Sequence, residues 1–123
     1  MIDAVLTEKI IGAAIEVHKY WGPGLIESIY EKSLVHELIL QGVEIQNQVP
    51  LKLNYKNLVL MDDFRIDLMV EGKIIIELKA VKEVAPVHEA QLLTYLKLSN
   101  CRIGLLFNFN VIKLRDGIRR FIL

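Results

Sequence analysis

The sequence predicts an α+β protein, an α/β sandwich whose central mixed sheet is flanked by helices. Two observations carry this. Apolar residues recur at three- and four-residue steps early and late in the chain, while the middle alternates or runs continuously apolar. A helical segment also separates two late strand segments, and such a crossover permits parallel pairing in an otherwise antiparallel sheet. With 123 residues and 53% hydrophobic content, the chain is expected to fold as one domain over 1–123 with a substantial core.

Residues 2–20 are the first predicted helix, with Ile2, Val5, Leu6, Ile10, Ala13, Ala14 and Val17 forming one stripe. Trp21-Gly22-Pro23-Gly24 breaks it. A second helix is expected over 25–41, with Ile26, Ile29, Tyr30, Leu34 and Leu38 inward and Gly42 as its stop. Val49, Leu51, Leu53 and Tyr55 alternate with polar residues as one half-buried strand does. Leu58–Met61 is too apolar to assign a face. Residues 64–69 and 73–80 flank a hairpin at Val70-Glu71-Gly72. After Pro86, residues 87–99 return to helical spacing, with Ala90, Leu93 and Leu96 on one side. Residues 103–109 read as a buried strand. Residues 111–114 and 118–123 flank Asp116-Gly117, a two-residue hairpin signal.

Lys and Arg number 15 against 15 Asp and Glu, which argues against holding nucleic acid by bulk positive charge. A few clustered basic groups or a bound metal ion can still do this locally. The lone Cys101 excludes an internal disulfide framework and fits a reducing compartment. The start of the chain is acidic where a signal peptide would be basic, and no apolar run approaches the roughly 20 residues of a membrane helix. A cytoplasmic protein without membrane association is expected.

The chemistry centres on Ile74-Ile75-Ile76-Glu77-Leu78-Lys79. Glu77 and Lys79 lie two apart in an apolar strand and share a face. A buried Glu–Lys pair, or an edge strand with one wet face, accounts for them equally well. Asp67 on the preceding strand shifts the balance, subject to register. A two-residue loop Glu71-Gly72 pairs 67 with 76, separates the two acids and forces Glu71 to positive φ. A three-residue loop Val70-Glu71-Gly72 pairs 69 with 73 and 67 with 75, leaving Asp67 diagonal to Glu77 on one face with Lys79. Turn chemistry favours the second register.

Two converging carboxylates repel unless a cation lies between them. Such an oxygen-rich site suits Mg²⁺ or Mn²⁺. Lys79 beside it is placed to steady an attacking water or phosphoryl charge, a set suited to phosphodiester hydrolysis. Glu27 opens the second helix, where the helix dipole alone explains an acid; Glu31, one turn on, reads as solvated. On the later helix His88, Gln91, Leu92 and Tyr95 share a stripe. Its polar members suit contacts to phosphate or lysine, or plain helix-surface polarity.

Taken together these residues resemble the GxxExxY proteins of the PD-(D/E)XK nuclease superfamily. Gly24-Leu25-Ile26-Glu27-Ser28-Ile29-Tyr30 matches the naming motif, and Asp67 followed by Glu77-Leu78-Lys79 looks like the superfamily's Asp and Glu-x-Lys. His88, Gln91 and Tyr95 are similar to the helix motif of RecB-like exonucleases. The segments 104–109 and 116–120 resemble the family's ending, except that Asn110 stands where glycine is expected, in a turn that the left-handed tolerance of Asn would preserve. The resemblance implies a restriction-endonuclease-like α-β-β-β-α-β core and Mg²⁺-dependent nuclease activity. It implies Asp67, Glu77 and Glu27 as metal ligands and Lys79 as catalytic lysine, with Gln91, Tyr95, His88 and Tyr30 as substrate-binding or auxiliary residues.

Two readings of function follow. The first is a metal-dependent nuclease acting on DNA, with RNA as the second choice of substrate; the sequence does not separate the two, since no module reading 2′-hydroxyls or stacking bases is recognisable. The alternative is a catalytically weak or inactive nuclease-fold module that binds nucleic acid or a protein partner. Lys113, Arg115, Arg119 and Arg120 would supply it with a basic patch, although a solvated hairpin explains them too. Small size and high apolar content make a homodimer an expectation.

Overall fold

The computed structural model describes residues 3–61 and 64–123. Ile2, counted on the first helical stripe, lies outside them. The elements are α1 (Ala4–Trp21), α2 (Glu27–Leu40), β1 (Ile45–Pro50), β2 (Leu53–Tyr55), β3 (Leu58–Leu60), β4 (Arg65–Val70), β5 (Ile74–Lys79), α3 (Pro86–Ser99), β6 (Ile103–Asn108), a 3₁₀ turn (Leu114–Gly117) and β7 (Ile118–Ile122). The main sheet runs β1-β4-β5-β6-β7, and β2 and β3 pair as a separate hairpin. Among the described strands only β5 and β6 are parallel, joined through α3, so the sheet is mixed as the sequence predicts. Setting aside α1, the β2–β3 insertion, the 3₁₀ turn and β7 leaves α2-β1-β4-β5-α3-β6, the restriction-endonuclease-like order.

Two apolar layers enclose the sheet. On one side Ile10, Ala13, Ala14 and Val17 of α1 and Tyr30, Leu34 and Leu38 of α2 pack on Leu68, Ile74, Ile76, Leu78, Leu105 and Phe107. On the other, Leu92, Tyr95 and Leu96 of α3 pack on Ile66, Ile75 and Leu106. Each large side chain so buried stabilises the fold by about 1.5–3 kcal/mol. Val5, Ile26 and Ala90 are exposed, so the expected stripes are each narrower by one residue. Ile26 lies just before the first residue of α2 and points out of its inward face. On α3 the buried face is Leu92, Tyr95 and Leu96.

Three further expectations are corrected. The alternating run 49–55 is two strands: β1 ends at Pro50, opposite Arg65, the Leu51 N–H makes one further bond to the Phe64 carbonyl at 3.0 Å, and from Leu53 on the chain pairs with β3 instead of β4. Residues 111–114 form no strand, and Asp116-Gly117 is no hairpin turn. Neither residue has the positive φ a two-residue hairpin turn needs, and both sit in the 3₁₀ turn leading into β7. Gly117 is there for space, since a Cβ would come within 2.1 Å of the Asn108 carbonyl oxygen. Gly117→Ala is therefore expected to destabilise the fold by roughly 2 kcal/mol through overpacking, readable as a lower urea midpoint. Asn110 also lacks a left-handed backbone; its N–H is held by the Asn108 side chain at 3.3 Å instead.

The third correction is the β4–β5 register. Val70 pairs with Ile74 and Leu68 with Ile76, not 69 with 73. Glu71 and Gly72 both adopt positive φ (51° and 64°), and the Lys73 N–H closes the turn on the Val70 carbonyl at 2.9 Å. Glu71 tolerates that backbone because its N–H is bonded to the Glu44 carbonyl at 2.9 Å. Continuing this register sets residue 67 directly opposite 77. The shift is by two residues, so both acids still face one side.

Candidate functional site

Regular pairing of β4 with β5 stops at Leu68–Ile76, and the side chains of the next pair take over. The Asp67 N–H donates to Glu77 Oε1 at 3.3 Å, and the Leu78 N–H donates to Asp67 Oδ2 at 2.9 Å. Each carboxylate thus satisfies a backbone donor of the facing strand. On the other flank of β4, Gln48 lies across from Asp67 with φ 53°, outside the ladder that resumes at Val49–Ile66. The faces of β4 change over at this point. Ile66 packs in the α3 layer and Leu68, two residues on, in the α1–α2 layer, although an unbroken strand would keep both on one face. This twist lets Asp67 meet groups from both layers.

From α2, Glu27 and Glu31 arrive. Their carboxylate oxygens and one of Asp67 all lie within 4.8 Å of one another. Glu31, read from sequence as solvated, accepts hydrogen bonds from Asn47 Nδ2 (3.0 Å) and Gln48 Nε2 (2.8 Å). Asn47 Nδ2 also donates to the Asp67 carbonyl at 2.8 Å, and Gln48 Nε2 lies 3.4 Å from Asp67 Oδ1. Asn47 and Gln48 escaped the sequence reading because nothing marks a polar pair on an edge strand. Glu31 did carry a signal, its i, i+4 spacing from Glu27.

The electrostatics follow from burial and crowding. Glu77, 5% exposed, is pushed up to about 9 by burial and then by the charge of Asp67. Burial also raises Asp67; its bond from the Leu78 N–H pulls it back and Glu31 pushes it up again. Glu27 is raised by burial, with Lys79 opposing and Asp67 and Glu31 adding. The Lys79 ammonium acts on all three in the lowering direction. So many carboxylates gathered beside one lysine lack positive charge. All the donors are hard oxygens, which is the chemistry a divalent cation such as Mg²⁺ or Mn²⁺ requires. The oxygens of Glu27, Glu31 and Asp67 therefore fit a metal ion, whereas Glu77 stands outside that cluster, accepting the Asp67 N–H.

Lys79 ends β5. Its carbonyl accepts the Phe109 N–H at 2.9 Å. Just beyond, buried Asn108 exchanges two bonds with the Val81 backbone, at 2.9 and 3.1 Å, fixing the strand's exit. Lys79 opens into a groove of about 610 Å³ shared with Gln91, Tyr95 and His88. Tyr95 is buried, and its hydroxyl is pushed up to about 12 by burial and then by Glu77 and Asp67, so it stays protonated. His88 holds the start of α3, accepting the Ala85 N–H on Nδ1 at 3.1 Å. Tyr30 is fully buried and serves the turn before α2: its hydroxyl donates to the Gly22 carbonyl (2.6 Å) and accepts the Leu25 N–H (3.1 Å), while its ring stacks on Phe109 at 4.6 Å. Of the basic tail, Arg119 is bridged to Glu89 at 3.0 Å and Arg120 to Glu8 at 3.4 Å. No helix among the described residues is long and apolar enough to cross a membrane.

Comparison with known proteins agrees with this architecture. No curated protein matches the chain. Among solved structures, the crystal structure of SSO0001 is similar in fold, with a TM-score of 0.53 and 24% identity over 77% of this chain. The chain spans about half of that protein's length, 48%. A family model described as the PD-(D/E)XK nuclease superfamily matches residues 4–121. Nearly the whole chain is covered by that match, and the chain belongs to the PD-(D/E)XK nuclease superfamily.

Proposed function

We propose that this protein is a nuclease that hydrolyses phosphodiester bonds in DNA with the help of Mg²⁺ or Mn²⁺. The observation that carries the reading is the meeting of Asp67 and Glu77 where the β4–β5 ladder ends, with Glu27 brought to Asp67 from another layer and Lys79 alongside. Gly24, Glu27 and Tyr30 support assigning it to the GxxExxY group within the superfamily.

In this reading Asp67, Glu77 and Glu27 hold the ion, and Glu31 adds a further carboxylate beside them. Such an ion, when bound, acidifies a coordinated water and polarises the phosphoryl oxygens. Lys79 positions the attacking water and neutralises charge that grows on the phosphoryl group. Tyr95, protonated at neutral pH, offers a hydrogen-bond donor at the groove. Gln91 supplies further polar contacts along the same groove.

The test is incubation of labelled single-stranded and duplex DNA with Mg²⁺, with Mn²⁺ or with EDTA. Cleavage in either metal and none in EDTA is expected. Intact substrate in both metals, or equal cleavage in EDTA, overturns the reading.

A further inference from the structure

The groove beside Lys79 has a composition that the hydrolytic chemistry alone does not require. Its walls are apolar: Leu53 and Phe64 on the sheet side, and Val87 and Leu98 on α3. Val87, Gln91, Thr94 and Leu98 follow one another at helical steps of four, three and four, so they form a single stripe along the groove. Val87 is 66% exposed and Leu98 50%. Phe64 is held in place by its carbonyl, which accepts the Leu51 N–H at 3.0 Å, and its ring meets Tyr95 edge-to-face at 6.2 Å. That contact leaves Phe64 more than a third exposed. The volume of about 610 Å³ lies within the usual range of small-ligand sites, ~300–1,000 Å³.

We infer that this groove receives an unstacked nucleobase next to the reacting phosphate, so that the substrate is single-stranded nucleic acid. The inference rests on the nuclease reading above and deepens it. One cation opening into a mostly apolar groove with a few polar side chains matches a ligand with one anionic group attached to a flat body that carries hydrogen-bonding edges, and a nucleotide is that ligand. A phosphate drawn to Lys79 carries its nucleoside into the groove. There the ring of Phe64 offers a stacking face, and Gln91 and Thr94 offer hydrogen bonds to a base edge. A duplex uses none of this. Its bases are stacked on each other and hide their faces, and it is held chiefly through lysines and arginines along its phosphates. Among the described residues the groove's lining has Lys79 as its only lysine or arginine, and the chain has no net charge.

The test measures anisotropy of a labelled oligothymidylate, and of a duplex of equal length, in Ca²⁺. The proteins compared are wild type, Phe64→Ala and Leu98→Glu, with circular dichroism to verify the fold. Both positions are partly exposed, so folding should survive. Wild type is expected to bind the single strand about tenfold more tightly than the duplex, and each variant to lose about tenfold on the single strand only. Equal affinities, or variants that bind the single strand as wild type does, overturn the inference. Cleavage of the same oligonucleotides in Mg²⁺ or Mn²⁺ separates this inference from the reading beneath it. Preferential binding without cleavage keeps the groove and removes the nuclease reading. Cleavage of both forms alike, unchanged by Leu98→Glu, keeps the nuclease and removes the groove.

Discussion

Lys79→Ala is expected to lower the metal-supported kcat on DNA by about 10²–10³-fold, the usual consequence of removing a group that stabilises transition-state charge. The backbone at this position is pinned by the Phe109 N–H and, at Val81 two residues on, by Asn108, so loss of the side chain should not move β5. A second readout comes from the neighbours. Lys79 draws Glu27, Asp67 and Glu77 toward their ionised forms, so without it all three hold protons to higher pH. The acid limb of the pH–rate profile should move upward. Lys79→Arg should not restore the rate, because a planar guanidinium does not reproduce a compact ammonium. An unchanged kcat in Lys79→Ala would remove the lysine from the mechanism.

Glu77→Gln is expected to stabilise the metal-free protein while abolishing hydrolysis. The carboxyl of Glu77 ionises near its ordinary value in the unfolded chain but only at about 9 in the folded one. A raised carboxyl favours the native state fully at low pH. That advantage is lost progressively as pH rises from about 4.5 toward 9. Glutamine keeps an acceptor for the Asp67 N–H, adds donors toward the Asp67 carboxylate and carries no charge. The variant should gain roughly 2–3 kcal/mol over wild type at pH 7 and about nothing at pH 4, measured by urea unfolding in EDTA. Mg²⁺ should narrow the gap by stabilising wild type. A gap that is constant with pH would mean that Glu77 is not the source of the strain.

The residues of the site were readable because several depend on parity alone. Asp67 and Glu77 face one another in the observed register, and they shared a face in the incorrectly expected one too, since the two differ by an even number of residues. The register itself was misread because a tertiary bond from Glu44 lets Glu71 adopt a backbone that local preference disfavours. Asn47 and Gln48 were illegible for a similar reason. The left-handed turn at Gln48 is imposed by its surroundings, and without it neither side chain has any mark of function. The helices were legible in position from periodicity, whereas the 3₁₀ turn at Leu114–Gly117 was not. Its glycine answers to the Asn108 carbonyl at the end of β6, a contact outside the turn itself that periodicity does not register.

The twist at Gln48 has a second consequence, for behaviour at high concentration. β1 is an outer strand of the main sheet, and a straight outer strand offers a row of unpaired donors and acceptors to any other chain. Here the row is short, since Gln48 turns out of line and Pro50 withdraws an N–H two residues later. On the opposite border β7 carries the exposed charges of Arg119 and Arg120. The kink that turns Asp67 toward its carboxylate neighbours thus also blunts the sheet's border against strand-to-strand association, and straightening it would cost the fold protection at the rim as well as geometry at the centre.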